Sequence, residues 1–304
     1  MYRPSEDNEW YGLNKTFFLG GKKYNASDLI LCGSTFQESA ESYFLNNPVQ
    51  CKADDSDKQT SPNSSYSNKK GEPRHALLLN NFKFENDTSN INGGYKDTIN
   101  LYDALVPLGW DITLAENKTS VELDKELENF LEKLGENTSA VLIFISSHGE
   151  MMQNEDQFMT ADGKFRKLNS ILAKFSETNC LKLADKPKIF LTDFCRKKSE
   201  AIPLSKEVER GVYNPVKPED NRNMLIAYAT LAGRASYNAE GSWFVTIFTN
   251  ALKEQYTASK RLSLKSILEL ANKRVTLRKE VHEGVTYCQV STFEPNDNFK
   301  QFFF

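Results

Sequence analysis

Two stretches of the sequence decide the predicted fold: LIFISSHGE at residues 142–150 and IFLTDFCRK at residues 189–197. Each begins as an apolar run of strand length and ends in polar residues, which is typical of a β-strand. A continuous apolar run indicates a strand that is buried on both faces, as in parallel sheets covered by helices. Each run ends at a residue able to do chemistry, His148 in the first and Cys195 in the second.

The surrounding sequence alternates strand-like and helix-like segments. Further short apolar runs lie at 76–79, 111–114, 224–229 and 287–292, and helical periodicity of apolar residues appears at 98–108, 120–134, 242–255 and 264–279. Strand–helix–strand alternation predicts a parallel sheet with right-handed crossovers and helices on both faces. We therefore predict one α/β domain at residues 74–304.

The sequence before residue 74 has a different character. Residues 1–51 contain apolar clusters without a sustained helical period, and we interpret them as a short pro-segment. Residues 52–73 contain no large aliphatic residue and are rich in Ser, Asn, Lys and Asp. Such a segment cannot bury enough apolar surface to offset the entropy of ordering, so we predict a disordered linker.

Composition excludes several classes of function. The 304 residues carry a net charge of −3 and no basic stripe, which argues against nucleic acid as a partner. No apolar run reaches the roughly 20 residues of a membrane span, and the acidic start MYRPSEDNEW does not resemble a secretory signal. We expect a cytoplasmic protein with no membrane partner. The five cysteines form no CxxC pair, so neither a disulfide framework nor a metal site is predicted.

His148 and Cys195 are the candidate catalytic pair. Functional groups in open parallel sheets collect beyond the carboxyl ends of the strands, where both residues are predicted to lie. A thiol attacks a carbonyl as thiolate, so a catalytic cysteine needs an imidazole nearby. Gly149 leaves its backbone N–H unshielded, and this N–H could bind an oxyanion together with that of Cys195. Either residue alone would more simply be a packing residue; the pair predicts a dyad.

The sequence resembles the caspase family in several segments that occur in the same order. They are HALLLNN (75–81), DTINLYDALVPLGWDI (97–112), LIFISSHGE (142–150), LADKPKIFLTDFCRK (183–197) and MLIAYATLAGRASYNAEGSWF (224–244). The resemblance implies a three-layer sandwich around a mostly parallel six-stranded sheet, with a large-subunit region at 74–210 and a small-subunit region at 222–304. It also implies cysteine peptidase chemistry, a role in apoptosis or related signalling, and no cofactor or metal.

The sequence departs from the family where caspases bind the substrate's aspartate. The resemblance implies two arginines and a glutamine that clasp this carboxylate. The first arginine would stand just before Gly93, where the chain has Asn90, Ile91 and Asn92. The second is replaced by Asn238, after Ser236 and Tyr237, whose backbone is expected to line the substrate groove, and the glutamine is replaced by Asp193. Because amides cannot reproduce a bidentate guanidinium, we expect aspartate specificity to be abolished.

One hypothesis is an inverted, acidic pocket. The run Asp193-Phe194-Cys195-Arg196-Lys197 is similar to the Asp-x-Cys-Arg-Lys run of paracaspases, which cleave after arginine. Asp97 would then form a second acidic wall, or it serves only as a helix-start residue. Paracaspases carry a third acid where this chain has Asn238. This hypothesis makes the chain an active cysteine endopeptidase with basic or neutral specificity and a peptide or protein substrate.

The other hypothesis, which the sequence favours, is a regulatory pseudocaspase. Residues 196–219 contain no aspartate, so the linker that caspases usually cut is expected to stay intact. Such a protein would pair with an active caspase, or with itself, through the last strand, predicted at 289–292 with Gln289 and Val290 in it. The final Phe302-Phe303-Phe304 could bind a partner or fold into the domain, and the sequence does not decide between these.

Overall fold

The computed structural model describes residues 65–66, 71–197, 221–233, 236, 241–257, 263–282, 285–296 and 298–304. All of them belong to one compact unit, Thr60–Phe304. The predicted pro-segment 1–51 and most of the predicted linker lie outside the described residues, as do Tyr237 and Asn238. None of the described helices has the length and apolar character needed to cross a bilayer.

Strands and helices alternate along the chain. The described strands are β1 (Arg74–Asn80), β2 (Trp110–Glu116), β3 (Ala140–Ser146), β4 (Gly149–Met152), β5 (Glu155–Met159), β6 (Phe165–Lys167), β7 (Lys188–Asp193), β8 (Met224–Tyr228), β9 (Lys279–His282), β10 (Val285–Cys288) and β11 (Thr292–Pro295). The described helices are α1 (Tyr95–Leu105), α2 (Ser120–Lys133), α3 (Leu168–Lys174), α4 (Trp243–Thr257) and α5 (Leu264–Leu277).

A six-stranded sheet with the order β11-β8-β7-β3-β1-β2 forms the centre of the domain. Its strands run parallel except β11, which pairs antiparallel with β8. The predicted α/β class and the predicted mostly parallel sheet are therefore confirmed. A separate three-stranded antiparallel sheet, β4-β5-β6, follows β3 directly.

Helices cover both faces of the sheet. Val141, Ile143 and Ile145 of β3 pack in one core cluster with residues of α2 and α3. The alternate residues Leu142 and Phe144 are also fully buried, and alternation along a strand points them to the opposite face. On that face α1 lies against β1, while α4 packs against α1 and α5. Burial on both sides explains why β3 is a continuous apolar run.

The helix α2 shows how local sequence sets an element's start. Thr119 and Glu122 form a capping box, with the Glu122 N–H donating to the Thr119 hydroxyl and the Thr119 N–H donating to the Glu122 carboxylate. Leu123, Leu127 and Phe130 are buried along one face. The observed helix ends one residue before the predicted end, at Lys133.

The predicted last strand is wrong. Residues 285–288 pair with β9 in a hairpin, residues 292–295 form β11, and Gln289 and Val290 lie between them. The buried Gln289 side chain donates to the Ala229 carbonyl at 2.6 Å, and the Leu231 N–H donates to the Val290 carbonyl at 3.0 Å. One strand-like run thus changes its pairing partner midway, which a periodicity-2 pattern does not reveal.

The small sheet β4-β5-β6 and helix α3 were not predicted. Their strands are short and mix polar with apolar residues, so they give no continuous apolar run. Gln153 and Asn154 connect β4 to β5, both with positive φ, +50° and +65°. This is the geometry of a two-residue hairpin turn, which Asn favours but which Gln-Asn signals more weakly than Asn-Gly.

The aromatic C-terminus folds into the domain. Phe302 is 1% exposed, and its ring lies 6.2 Å from Trp110 and 5.4 Å from Phe304. Phe304 also contacts Phe248 of α4. Within the predicted linker, Tyr66 is buried as well, and its hydroxyl donates to Asn223 at 2.8 Å. The tail is therefore part of the core rather than an exposed peptide.

We expect Phe302→Ala to lower the free energy of unfolding by about 3 kcal/mol, because it removes a buried aromatic ring and leaves a cavity. Denaturant unfolding followed by tryptophan fluorescence measures this loss. Val121→Ala, at a side chain that is 76% exposed, is the control and should change stability by less than about 0.5 kcal/mol. An unchanged unfolding midpoint in Phe302→Ala would contradict the packing described here.

Candidate active site

Parallel pairing places the two predicted catalytic residues at one edge of the sheet. β3 and β7 are neighbours, with Ile145 opposite Thr192 and Ser146 opposite Asp193. The Ser147 N–H continues the pairing by donating to the Asp193 carbonyl at 3.2 Å. His148 and Cys195 each stand two residues beyond a paired position. The structure therefore brings their backbone segments side by side, as the strand-end argument predicts.

A backbone carbonyl orients the His148 ring. Its Nε2 lies 2.6 Å from the carbonyl oxygen of Ser89, which can only accept a hydrogen bond, so Nε2 carries the proton. In the neutral ring, Nδ1 is then the bare nitrogen that can take a proton from a thiol. The ring also packs against Phe84, with centroids 5.1 Å apart. Sequence reasoning missed Ser89, because a carbonyl that any residue could supply leaves no sequence signal.

Cys195 is a free cysteine with a partly exposed side chain. Its Sγ lies 3.9 Å from the Ser236 carbonyl, so the predicted groove residue Ser236 does adjoin the thiol. Tyr237 and Asn238, the next two predicted groove residues, lie outside the described residues.

Gly149 allows the His148 segment to pass close to the Cys195 segment. A Cβ at this position would lie 2.5 Å from the Phe194 ring, 2.8 Å from the Cys195 carbonyl oxygen and 2.8 Å from the Gln157 carbonyl oxygen. Two of these three neighbours are backbone atoms that cannot move aside. Only glycine fits here, because any side chain would collide with the neighbouring backbone. This requirement is separate from the predicted role of the Gly149 N–H as a hydrogen-bond donor.

Asp193 is a buried acid two residues before Cys195. Its side chain is 4% exposed, and its Oδ2 atom has no hydrogen-bond partner among the described residues. Burial raises the pKa of Asp193 to about 6, and hydroxyl hydrogen bonds from Ser242 and Ser236 only partly offset this effect. Burial therefore disfavours the charged form of this carboxylate.

Asp97, the second predicted acid, is fully buried and lies near the same point. Its Oδ1 accepts the backbone N–H of Ser242 at 2.8 Å, at the start of α4. Gly241 precedes this contact with φ of +100°, and a Cβ there would lie 3.4 Å from the Asp97 Oδ1. The carboxylate thus accepts the N–H of the residue just before α4, and the Ser242 side chain links this point to Asp193.

The segment that would carry the first pocket arginine is fixed by Asn90. The Asn90 Oδ1 accepts the Phe84 N–H at 2.8 Å, and Nδ2 donates to Asp87 at 3.3 Å. These bonds shape the loop that presents the Ser89 carbonyl to His148. Asn90 therefore supports the histidine and supplies no positive charge.

Comparisons with known proteins agree with this arrangement. A family model described as the caspase domain matches residues 73–303. The chain belongs to the caspase family. It is 26% identical to Caspase b of Danio rerio over 208 residues (67% of this chain, 49% of that protein). It is also 26% identical to Caspase-2 of Gallus gallus over 246 residues (71% and 54%) and to Caspase drICE of Drosophila melanogaster over 210 residues (66% and 60%).

The caspase domain matches most of the chain, but the chain is only 26% identical to these three relatives. The chain spans about half the length of the first two of these relatives. Family membership agrees with the expected α/β caspase-like fold and with cysteine peptidase ancestry. The specificity and partners of this chain are a separate matter, because its pocket residues differ from those the family resemblance implies.

We expect Asp193→Asn to stabilise the protein at neutral pH. The folded-state pKa of about 6 lies above the ordinary 3.8, so ionisation of Asp193 lowers the free energy of unfolding as pH rises from about 4 to 6. The amide cannot ionise. The variant should exceed the parent by less than about 1 kcal/mol at pH 4 and by up to about 3 kcal/mol above pH 7 in denaturant unfolding.

Asp162→Asn is the matched control with the opposite sign. Burial opposes the charge of Asp162, but hydrogen bonds from Lys164, Thr160 and Ser120 outweigh it and lower the pKa to about 2. Its removal should therefore cost stability at neutral pH. If Asp193→Asn also destabilised the protein at pH 7 and had the same effect at pH 4, the raised pKa would be wrong.

Proposed function

We propose that this chain is a caspase-family cysteine endopeptidase that cleaves after a basic residue. The observation that carries the proposal is the contact between His148 Nε2 and the Ser89 carbonyl at 2.6 Å. It leaves Nδ1 as the proton acceptor on a strand end adjacent to that of Cys195. A protein that only pairs with other caspases needs neither this tautomer nor the thiol.

The chemistry follows the ordinary route of cysteine peptidases. The thiol of Cys195 gives its proton to His148 Nδ1, and the thiolate attacks the peptide carbonyl carbon to form an S–C bond. The N–H groups of Gly149 and Cys195 would stabilise the oxyanion. The C–N bond then breaks as the imidazolium gives its proton to the leaving amine, and water hydrolyses the thioester to release the acid and restore the thiol.

Asp193 supports a basic preference at the cleavage position. Its buried Oδ2 lacks a partner among the described residues, and its ionised form is unfavourable until a cation supplies one. An arginine or lysine side chain would provide the charge and the donors. A substrate aspartate would instead place a second carboxylate beside Asp193, with no arginine at residues 90–92 or 238 to bind it.

Hydrolysis of a positional-scanning peptide library by the full chain tests this proposal. We expect cleavage after Arg or Lys that disappears in Cys195→Ala. Asp193→Gln, which restores the amide implied by the family, should lower kcat/KM for basic peptides at least 100-fold and change neutral peptides far less. Cysteine-dependent cleavage after Asp, or no cleavage of any member, would contradict the proposal.

A regulatory role is the second candidate, and one observation favours it. β11 is an edge strand: among the described strands it pairs only with β8, and its residues are half-exposed or exposed. Such an edge can pair with a second chain across a two-fold axis. This reading makes the protein a cytoplasmic partner of an active caspase in apoptosis. Because Gln289 is buried, substitutions there would test folding rather than pairing.

Proline at two successive positions of β11 tests the pairing. Neighbouring N–H groups of an antiparallel strand point in opposite directions, so Thr292→Pro and Phe293→Pro remove one N–H facing β8 and one facing the open edge. The variant that keeps the parent melting temperature should lose self-association, or association with a caspase, in analytical ultracentrifugation. Unchanged association of that folded variant would exclude β11 as the interface.

A further inference from the structure

Arg196, the residue after Cys195, is buried in a forked ion pair. Its guanidinium is bonded to Asp156 through Nε–Oδ1 at 2.8 Å and Nη2–Oδ2 at 2.7 Å. Arg196 is 2% exposed and Asp156 is 5% exposed. Asp156 lies in β5, in the small sheet that begins at Gly149, directly after His148. The pair therefore joins the nucleophile segment to the segment that follows the base.

Other contacts of Arg196 fix its position further. Nη1 donates to the Thr230 carbonyl at 3.3 Å, and the guanidinium lies 3.9 Å from the centroid of the Tyr228 ring. The Arg196 carbonyl accepts the Gly233 N–H at 2.7 Å. The side chain and the backbone carbonyl of Arg196 thus connect the Cys195 segment both to β5 and to the residues at and after the end of β8.

The backbone on either side of Arg196 is also held by the small sheet. The Met151 N–H in β4 donates to the Lys197 carbonyl at 2.8 Å, and a Cβ on Gly149 would lie 2.8 Å from the Cys195 carbonyl oxygen. The segment that carries Cys195 is therefore hydrogen-bonded to β4. Asp156, on the neighbouring strand β5, holds the buried guanidinium of Arg196. Movement of Asp156 would displace the segment that carries the thiol.

We propose that Asp156 is a positioning residue for Cys195, acting through Arg196. A buried ion pair adds little net stability compared with an apolar pair, but its bidentate geometry fixes direction and distance. This inference rests on the proposed function, since it concerns the same thiol and imidazole. The hydrogen bonds described above link Arg196 to Asp156, Thr230 and Gly233 of the same chain.

The rate of Cys195 alkylation by iodoacetamide, measured against pH by peptide mass spectrometry, tests this role without needing a substrate. The test variant is Asp156→Leu/Arg196→Met, which removes both charges and leaves no unpaired ion. The matched control is Asp124→Leu/Arg166→Met. That pair is also bidentate, through Nη1 and Nη2 at 2.8 and 2.7 Å, and it joins α2 to β6 of the same small sheet.

The test variant should alkylate at least 10-fold more slowly at pH 7, with its pH midpoint shifted upward, because a displaced thiol loses its imidazole partner. The control should stay within about 2-fold of the parent in rate and unchanged in midpoint. A test variant that keeps the parent melting temperature and the parent alkylation profile would overturn the inference.

Two single variants decide the matter if the double variant does not fold. Asp156→Glu keeps the charge and the fork, and should stay within about 3-fold of the parent; Asp156→Asn should be slowed at least 10-fold. Equal rates in the two would overturn the inference. If the parent hydrolyses no peptide but shows these alkylation differences, the positioning role stands and the proposed endopeptidase does not.

Discussion

The parallel pairing of β3 with β7 is the constraint on which the site depends. Its register sets Ser146 opposite Asp193, and a shift by one residue would turn every following side chain to the other face. Both strands are buried along their whole length, so the register is fixed by packing rather than by the site itself. The packing of the core therefore determines where the thiol and the imidazole lie.

Several charged side chains are buried near the ends of these strands, where burial disfavours their charge. Asp193 and Asp97 converge on Ser242, and Arg196 is neutralised by Asp156. Two of these acids are satisfied, Asp97 by a helix start and Asp156 by a guanidinium. Of these three acids, only Asp193 keeps an oxygen without a partner among the described residues. A buried carboxylate that lacks a partner is the feature on which the proposed preference for a basic side chain rests.

Long apolar strands and amphipathic helices were predictable, because burial on both faces of a strand and on one face of a helix each leave a local pattern. The positions of His148 and Cys195 followed from the same strands. The small sheet, the hairpin before β11 and the Asp156–Arg196 pair were not predictable, since short polar strands and long-range ion pairs have no periodicity. Ser89 contacts His148 through its backbone carbonyl, which leaves no signal in the sequence. Gln289 belongs to a strand-like run of residues, but it lies outside the strands and its side chain donates to the Ala229 carbonyl.

The most direct test of the account is the protonation state of His148, observed by ¹⁵N NMR. The chain has three histidines, so replacing His75 and His282 in turn assigns the signals. We predict a proton on Nε2 and a bare Nδ1 whose chemical shift changes in Cys195→Ala. A proton on Nδ1 with a bare Nε2, or an Nδ1 signal indifferent to Cys195, would contradict the arrangement from which the function is argued.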